Sequence, residues 1–166
     1  MISTHRLSLV EATLQDSAFI YKLLNSPHWI EHIGDRGIDS DEKATAYIRD
    51  HLINSYKANS FGLFKVVLMV DGRPIGLCGI LKRSYLPHPD IGYAILPEFE
   101  GYGYISEAVQ ATLDFAQEEL KLKTLMAITT DKNGASRHLL EKIGFERVIN
   151  YQYQADYEEL LYEINF

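Results

Sequence analysis

Between Asp90 and Thr130 a strand, a glycine turn, a helix and a second strand follow one another without a break. "DIGYAIL" and "TLMAITT" are the strands. The helix has Ile105, Ala108, Val109, Thr112, Leu113, Ala116 and Leu120 at steps of three and four residues, which is one buried stripe. A strand that returns to its own sheet through a helix does so parallel, by a right-handed crossover. The turn that opens the helix, "PEFEGYGYISEA", then lies at the carboxyl end of a strand, where open sheets bind ligands. No other segment restricts the fold as much.

The turn itself is unusual chemically. A helix start leaves main-chain N–H groups without partners and carries about half a positive charge. Ser, Thr, Asp or Asn commonly caps it. Here Gly101, Tyr102 and Gly103 stand in that place. Glycine offers no side-chain oxygen but lets a ligand approach the main chain. An anion such as phosphate completes a site of this kind. With a net charge of −7, the chain has no long-range attraction for a polyphosphate, so local amides must hold it. A nucleotide P-loop does not fit, because Tyr104 follows Gly103 where Lys is needed. A dinucleotide turn does not fit either, because Ser106 replaces its third glycine.

The remaining pattern builds an α+β domain around a mixed sheet. "HRLSLVEA" alternates, with Leu7 and Leu9 on one face. Thr13 is placed to cap a helix from Leu14 to Asn25, and Ser40 a second from Asp41 to about Asn54. "NSPHWIEHIGDRGIDS" between them reads as irregular. "FGLFKVVLMV" and "IGLCGILKR" form a hairpin, with Asp71 and Gly72 supplying positive φ angles at its turn. "NGASRHLLEKIGF" is a short helix that Gly144 ends, and "FERVINYQYQ" pairs with "ELLYEINF". A length of 166 residues fits one domain, residues 1–166.

Charge and composition exclude several functions. The negative balance opposes nucleic-acid binding by counterion release and binding to a membrane through a polybasic surface. "KRSYLPHPD" is too small a basic patch for nucleic acid. No apolar run suits a signal peptide or a membrane span, and Cys78 is the sole cysteine, so the expectation is a cytoplasmic protein. Six histidines at scattered spacings give no metal pattern.

"LPEFEGYGYISEA" resembles the pyrophosphate motif of the GNAT N-acetyltransferases, and "NGASRHLLEKIGF" resembles their second signature. "RLSLVEAT", "LLNSP", "PIGLCGI" and "DIGYAIL" follow in matching order over nearly the whole chain. The likeness is greatest to the branch containing the RimJ/RimL-type ribosomal-protein alanine acetyltransferases. It implies a mixed, mostly antiparallel sheet of roughly six to seven strands with helices on both faces. It implies acetyl-coenzyme A as donor and a primary amine as acceptor, either a protein N-terminus or a small molecule. The strand ending at Ile95 and Leu96 would pair with the pantetheine arm and splay from the strand beginning near Leu125. Main-chain amides from about Phe99 through Gly101, Tyr102, Gly103, Tyr104 and Ile105 to Ser106 would hold the pyrophosphate.

Transfer from a thioester to an amine needs a neutral amine, a polarised carbonyl and a stabilised thiolate. An α-amine, with a pKa of roughly 7.7–8.0, needs little help to lose its proton. Asp90 is the base candidate, with Glu31 and Asp35 as alternatives. A backbone N–H of Ile95 or Leu96 suffices for the carbonyl. Many relatives carry a tyrosine acid at the position of Leu140, which leaves Ser136 as the nearest hydroxyl for the thiolate. Asn133 either binds the coenzyme arm or caps the last helix. Trp29, His32 and Arg36 are candidates for an acceptor wall. Glu98 and Glu100 depart from the family pattern, and their carboxylates must turn away from a pyrophosphate. Cys78, in mid-strand, reads as a core thiol, which favours direct transfer in a ternary complex. Tyr151, Tyr153 and Tyr157 suit a sheet surface or a dimer contact, and both a monomer and a homodimer stay open. A coenzyme-binding sensor and a nucleotide-binding α/β protein are the rival readings.

Overall fold

Leu7 and Leu9 are fully buried, as their alternation requires, and they anchor one side of a single large sheet. The structure, a computed structural model, describes residues 1–149 and 159–166. Strands β1 (Ile2–Ser3) and β2 (Leu7–Val10) lead into α1 (Ser17–Leu24), α2 (Pro27–His32), α3 (Asp41–Tyr47) and α4 (Asn54–Asn59). The hairpin β3 (Leu63–Leu68) and β4 (Pro74–Leu81) and strand β5 (Asp90–Ile95) follow. Then come α5 (Tyr104–Glu118), β6 (Thr124–Thr130), α6 (Gly134–Lys142), β7 (Glu146–Arg147) and β8 (Glu159–Asn165).

The strands lie in the order β1-β2-β3-β4-β5-β6-β8-β7. Every pairing is antiparallel except that of β5 with β6. This is the crossover expected for Asp90–Thr130. Among the described residues the sheet has eight strands, one more than the sequence suggests, because β1 is a two-residue strand too short to alternate. Every residue of β4 from Ile75 to Ile80 is buried, so layers cover both faces of the sheet at its middle. No described helix is long and apolar enough to cross a membrane.

Several local expectations change. Thr13 is the N-cap of a 3-10 turn (Leu14–Asp16) that precedes α1, and its N–H donates to Asp16 at 2.7 Å. The segment read as irregular contains α2, which starts on Pro27 and buries Trp29. Proline suits a first helical turn, and the glycines that follow conceal so short a helix in the sequence. Ser40 does cap α3, accepting from the Lys43 N–H at 3.2 Å. The helical path does not stop near Asn54 but continues through a π-helical stretch, Ile48–Ile53, into α4. The extension buries Tyr56, whose hydroxyl donates to the Leu63 carbonyl at 2.5 Å and accepts from the Ala12 N–H at 3.2 Å. In the hairpin only Gly72 takes a positive φ, +74°; Asp71 does not. Gly144 ends α6 at φ +101°, as expected. Tyr151, Tyr153 and Tyr157 lie outside the described residues.

Two glycines give a matched test of this arrangement. A Cβ on Gly79 would sit 2.0 Å from the Gly62 carbonyl oxygen, main chain against main chain. A Cβ on Gly134 meets nothing within 4 Å. Gly79→Ala should therefore lose roughly 2 kcal/mol or more in urea unfolding. Gly134→Ala should lose nothing. Equal midpoints for the two variants would contradict the close approach of the Gly62 main chain to β4.

Candidate active site

After β5 the chain makes a 3-10 turn (Pro97–Phe99) and then the glycine turn. Gly101 and Gly103 have φ of +80° and +78°, a left-handed backbone that other residues adopt only at a cost. Gly103 occupies the N-cap of α5, and among the described residues no side chain caps the helix. The first helical bond is from the Glu107 N–H to the Gly103 carbonyl, at 3.1 Å. The amides of Tyr104, Ile105 and Ser106 therefore precede any helical acceptor. The amides of Phe99 and Glu100 are already spent, on Leu96 and Pro97 at 3.0 and 3.2 Å. The usable row is thus shorter than the sequence implies, running from Gly101 to Ser106.

This turn is held from behind. Glu107 accepts from the Arg6 main-chain N–H at 2.9 Å, from Arg6 Nε at 2.7 Å and from Thr4 Oγ1 at 2.5 Å. Arg6 Nη1 also donates to the Tyr102 carbonyl at 3.0 Å. A cross-link from the turn between β1 and β2 thus fixes the loop whose glycines would otherwise be free.

The turn opens into a cleft of about 1300 Å³. Its floor is a parting of strands. β5 and β6 are in register only at Asp90–Met126 and Ile91–Ala127. β4 follows the other edge of β5 from Asp90 to Ile95. The Leu96 N–H donates to the Ile75 carbonyl at 2.8 Å. Antiparallel alternation then turns the main-chain groups of Ala94 and Gly92 toward β4 as well, and those of Tyr93 and Ile95 toward the gap. Of the two amides expected to polarise a carbonyl, Leu96 is spent and Ile95 faces the cleft.

The cleft gathers most of the residues singled out in the sequence. Asp90, Ile95, Phe99, Gly101, Gly103, Tyr104, Ile105, Ser106, Asn133 and Ser136 line it, as do Trp29, His32 and Arg36. Leu96 and Tyr102 do not; the first is 3% exposed and the second 64%. Glu31 and Asp35 are also absent from the walls. Glu31 lies beside His32, and Asp35 accepts from the Gly37 N–H. Leu140 is wholly buried in the core.

Side-chain chemistry is divided along β5. At its start Asp90 is 1% exposed and ion-pairs with Arg83 Nε at 3.0 Å. Burial pushes its carboxyl up to about 6, although Arg83 pulls in the opposite direction. Because this folded value exceeds the unfolded one, Asp90 favours folding most fully below pH 4. That contribution is lost as pH rises through about 6. At the middle of β5, Tyr93 Oη lies 2.9 Å from Ser136 Oγ. Asn133 Oδ1 accepts from the Ser136 N–H at 3.0 Å and so caps α6, which leaves its amide nitrogen for the cleft. Glu98 pairs with Lys22, and Glu100 with His28 Nδ1 at 2.6 Å. Glu98 is thereby engaged outside the cleft lining, whereas Glu100 and His28 both line the cleft beside the glycine turn. Buried beneath the cleft, Cys78 has its thiol pushed up to about 12 by desolvation, and Thr112 Oγ1 lies 3.4 Å from Sγ. The indole Nε1 of Trp29 and Nδ1 of His32 are buried without a partner among the described residues.

Sequence reasoning missed Arg6, His28, Arg83 and Tyr93. Arg6 and Glu107 lie 101 positions apart, and His28 and Glu100 lie 72 apart, so no local spacing marks them. Arg83 had a readable signal: it stands seven residues before Asp90 across a short loop. Tyr93 is visible in "DIGYAIL" only as a strand residue.

Residues 6–146 match the acetyltransferase (GNAT) domain family. The uncharacterized N-acetyltransferase YnaD of Bacillus subtilis (strain 168) is 27% identical over 146 residues, which is 88% of this chain and 82% of that protein. The crystal structure of an acetyltransferase from Agrobacterium tumefaciens str. C58 superposes with a TM-score of 0.85 at 25% identity, covering 99% of this chain and 94% of that one. The microcin C7 self-immunity acetyltransferase MccE, solved with acetyl-CoA and AMP, shares the fold with a TM-score of 0.79 at 14% identity, covering 98% and 94%. The nucleotide-binding reading falls with this match, and the chain belongs to the GNAT acetyltransferase family as an N-acetyltransferase.

Proposed function

We propose that this enzyme transfers the acetyl group of acetyl-coenzyme A to a primary amine, directly and in a ternary complex. The observation that carries the reading is a coincidence in space. An uncapped helix start with two left-handed glycines and an unpaired parallel strand edge share one cleft. A diphosphate satisfies the first and an amide-bearing arm satisfies the second.

The amides from Gly101 to Ser106 hold the diphosphate. Tyr93 and Ile95 offer their main-chain groups to the arm, and Asn133 offers its amide nitrogen. When bound, the coenzyme supplies the acetyl thioester. The Ile95 N–H polarises the carbonyl, and the Ser136 hydroxyl stabilises the departing sulfur. Asp90 stands about 10 Å along β5 from Tyr93, so it takes the amine proton through water. The N–C bond forms as the C–S bond breaks; nitrogen loses one proton toward Asp90, sulfur gains one from water, and Asp90 returns its proton to the hydroxide so formed. Cys78 takes no part, since a buried thiol held near 12 is not a nucleophile at neutral pH.

A base titrating near 6 is well matched to an α-amine and poorly matched to a lysine side chain. This supports a peptide N-terminus or a small α-amine as acceptor, in keeping with the RimJ/RimL-type branch. Trp29, His32 and Arg36 form the acceptor wall, where the buried Trp29 and His32 nitrogens await polar partners.

Gly101 and Gly72 offer a paired test. Both have a positive φ, +80° and +74°, and a Cβ on either meets no protein atom within 4 Å. Alanine at each carries the same strain, roughly 1–2 kcal/mol. Calorimetry should show acetyl-coenzyme A affinity falling at least about tenfold in Gly101→Ala, equivalent to ~1.4 kcal/mol, and holding in Gly72→Ala. Equal affinities would remove the glycine turn from the site. A second test is the pH dependence of kcat/KM. Ionised Asp90 is the active form, so the rate should rise with pH through an inflection near 6. Asp90→Asn should abolish that inflection and cost roughly 10²-fold, because an amide can still accept from Arg83 but cannot take a proton. An unchanged profile would discard Asp90 as the base.

A further inference from the structure

The phenol of Tyr93 has no role in the mechanism above, although it is half-buried in the cleft beside the group assigned to the sulfur. Its side chain comes from β5 and meets the first turn of α6, the helix that follows the parted strand β6. Among the described residues, Ser136 Oγ at 2.9 Å is the one polar atom in hydrogen-bond contact with Tyr93 Oη. A desolvated phenol O–H requires an acceptor. Either hydroxyl can donate in this contact, and when Tyr93 donates one Ser136 lone pair is committed.

This commitment has a consequence for Ser136. A serine hydroxyl otherwise rotates to suit its neighbours. Asn133 Oδ1 is taken up by the Ser136 main-chain N–H, so it does not compete for the hydroxyl. With Tyr93 donating, the Ser136 O–H has to find its acceptor elsewhere, and the cleft is what remains. We propose that Tyr93 is a positioning residue: it fixes the Ser136 hydroxyl as a donor into the cleft, aimed at a thiolate sulfur. The proposal rests on the coenzyme reading and gives that reading a specific polar partner for the thiolate that Leu140 cannot supply. Burial pushes the phenol up to about 12, so it stays protonated and remains a donor throughout the working pH range. Such a phenol does not surrender its proton to a thiolate. Its effect is orientation, transmitted through Ser136.

The thiol of bound coenzyme A reports this without any acceptor amine or turnover. Its ionisation is read from thiolate ultraviolet absorbance, as the difference between protein with and without coenzyme A across pH 6–10. A hydrogen bond to a charged group lowers the thiol pKa by about one unit relative to free coenzyme A. Tyr93→Phe keeps the ring and should return most of that shift. Ser136→Ala should return it too, and the double variant should go no further than Ser136→Ala alone. Three results would overturn the proposal. Equal thiol ionisation in the wild type and Tyr93→Phe, with a shift in Ser136→Ala, would mean Ser136 acts unaided. Additive losses in the double variant would mean Tyr93 acts independently. Failure of the wild type to bind coenzyme A at all would remove the coenzyme reading together with this inference, whereas the first two results leave that reading intact.

Discussion

Two adjacent parallel strands that hold register at only two positions create an obligation. Main-chain N–H and C=O groups facing away from bulk water need partners, and the edge of β5 beyond Ile91 does not find them on β6. β6 is drawn away by its other neighbour, since β8 pairs with it along its whole length from Thr124 to Thr130. β5 is held equally firmly by β4. Each strand is thus fixed on one side and released on the other. The parting of the strands is a product of sheet pairing, and loops complete the cleft above it. Everything chemical in the site is arranged along that parting: the amide row at its mouth, Ile95 and Tyr93 along it, and Asp90 where it closes.

An acidic protein that binds a polyanion must separate its local field from its global one. Here the separation is achieved by pairing. Glu98 and Glu100, the two carboxylates nearest the amide row in sequence, are engaged by Lys22 and His28 from the helices before it. Arg6 lies behind the turn and is committed to Glu107 and to the Tyr102 carbonyl. It therefore tightens the loop more than it adds charge to the cleft. The groups proposed to hold the diphosphate are main chain and helix dipole, which act over short distances and need no net charge.

The legible parts of this molecule were the local ones. The crossover, the glycine turn, the buried stripe of α5 and the Gly144 stop depend on residues within a few positions of one another, and periodicity and φ preference reveal them. The cleft residues of the turn and of the Asn133–Ser136 signature were likewise readable. What failed depended on register or on distant partners. Leu96 seemed as good a donor as Ile95 until the pairing with Ile75 decided which amide was spent. Helix α2 was hidden because one proline and two nearby glycines resemble a loop, while the burial of Trp29 that stabilises the helix is a tertiary fact. The partnership of Tyr93 with Ser136 spans 43 residues and two kinds of element, and no spacing rule links them. The environment of Asp90 combines both cases: its place at a strand start was plain, but its near-complete burial was not.

The central claim is that main-chain amides at the start of α5 hold the diphosphate and thereby direct the thioester along β5. A crystal structure of the protein with acetyl-coenzyme A tests it most directly. The account predicts diphosphate oxygens within hydrogen-bond distance of the amides between Gly101 and Ser106, with the arm running beside Ile95 and Tyr93. A diphosphate bound elsewhere, or a protein side chain capping α5 in that complex, would contradict it.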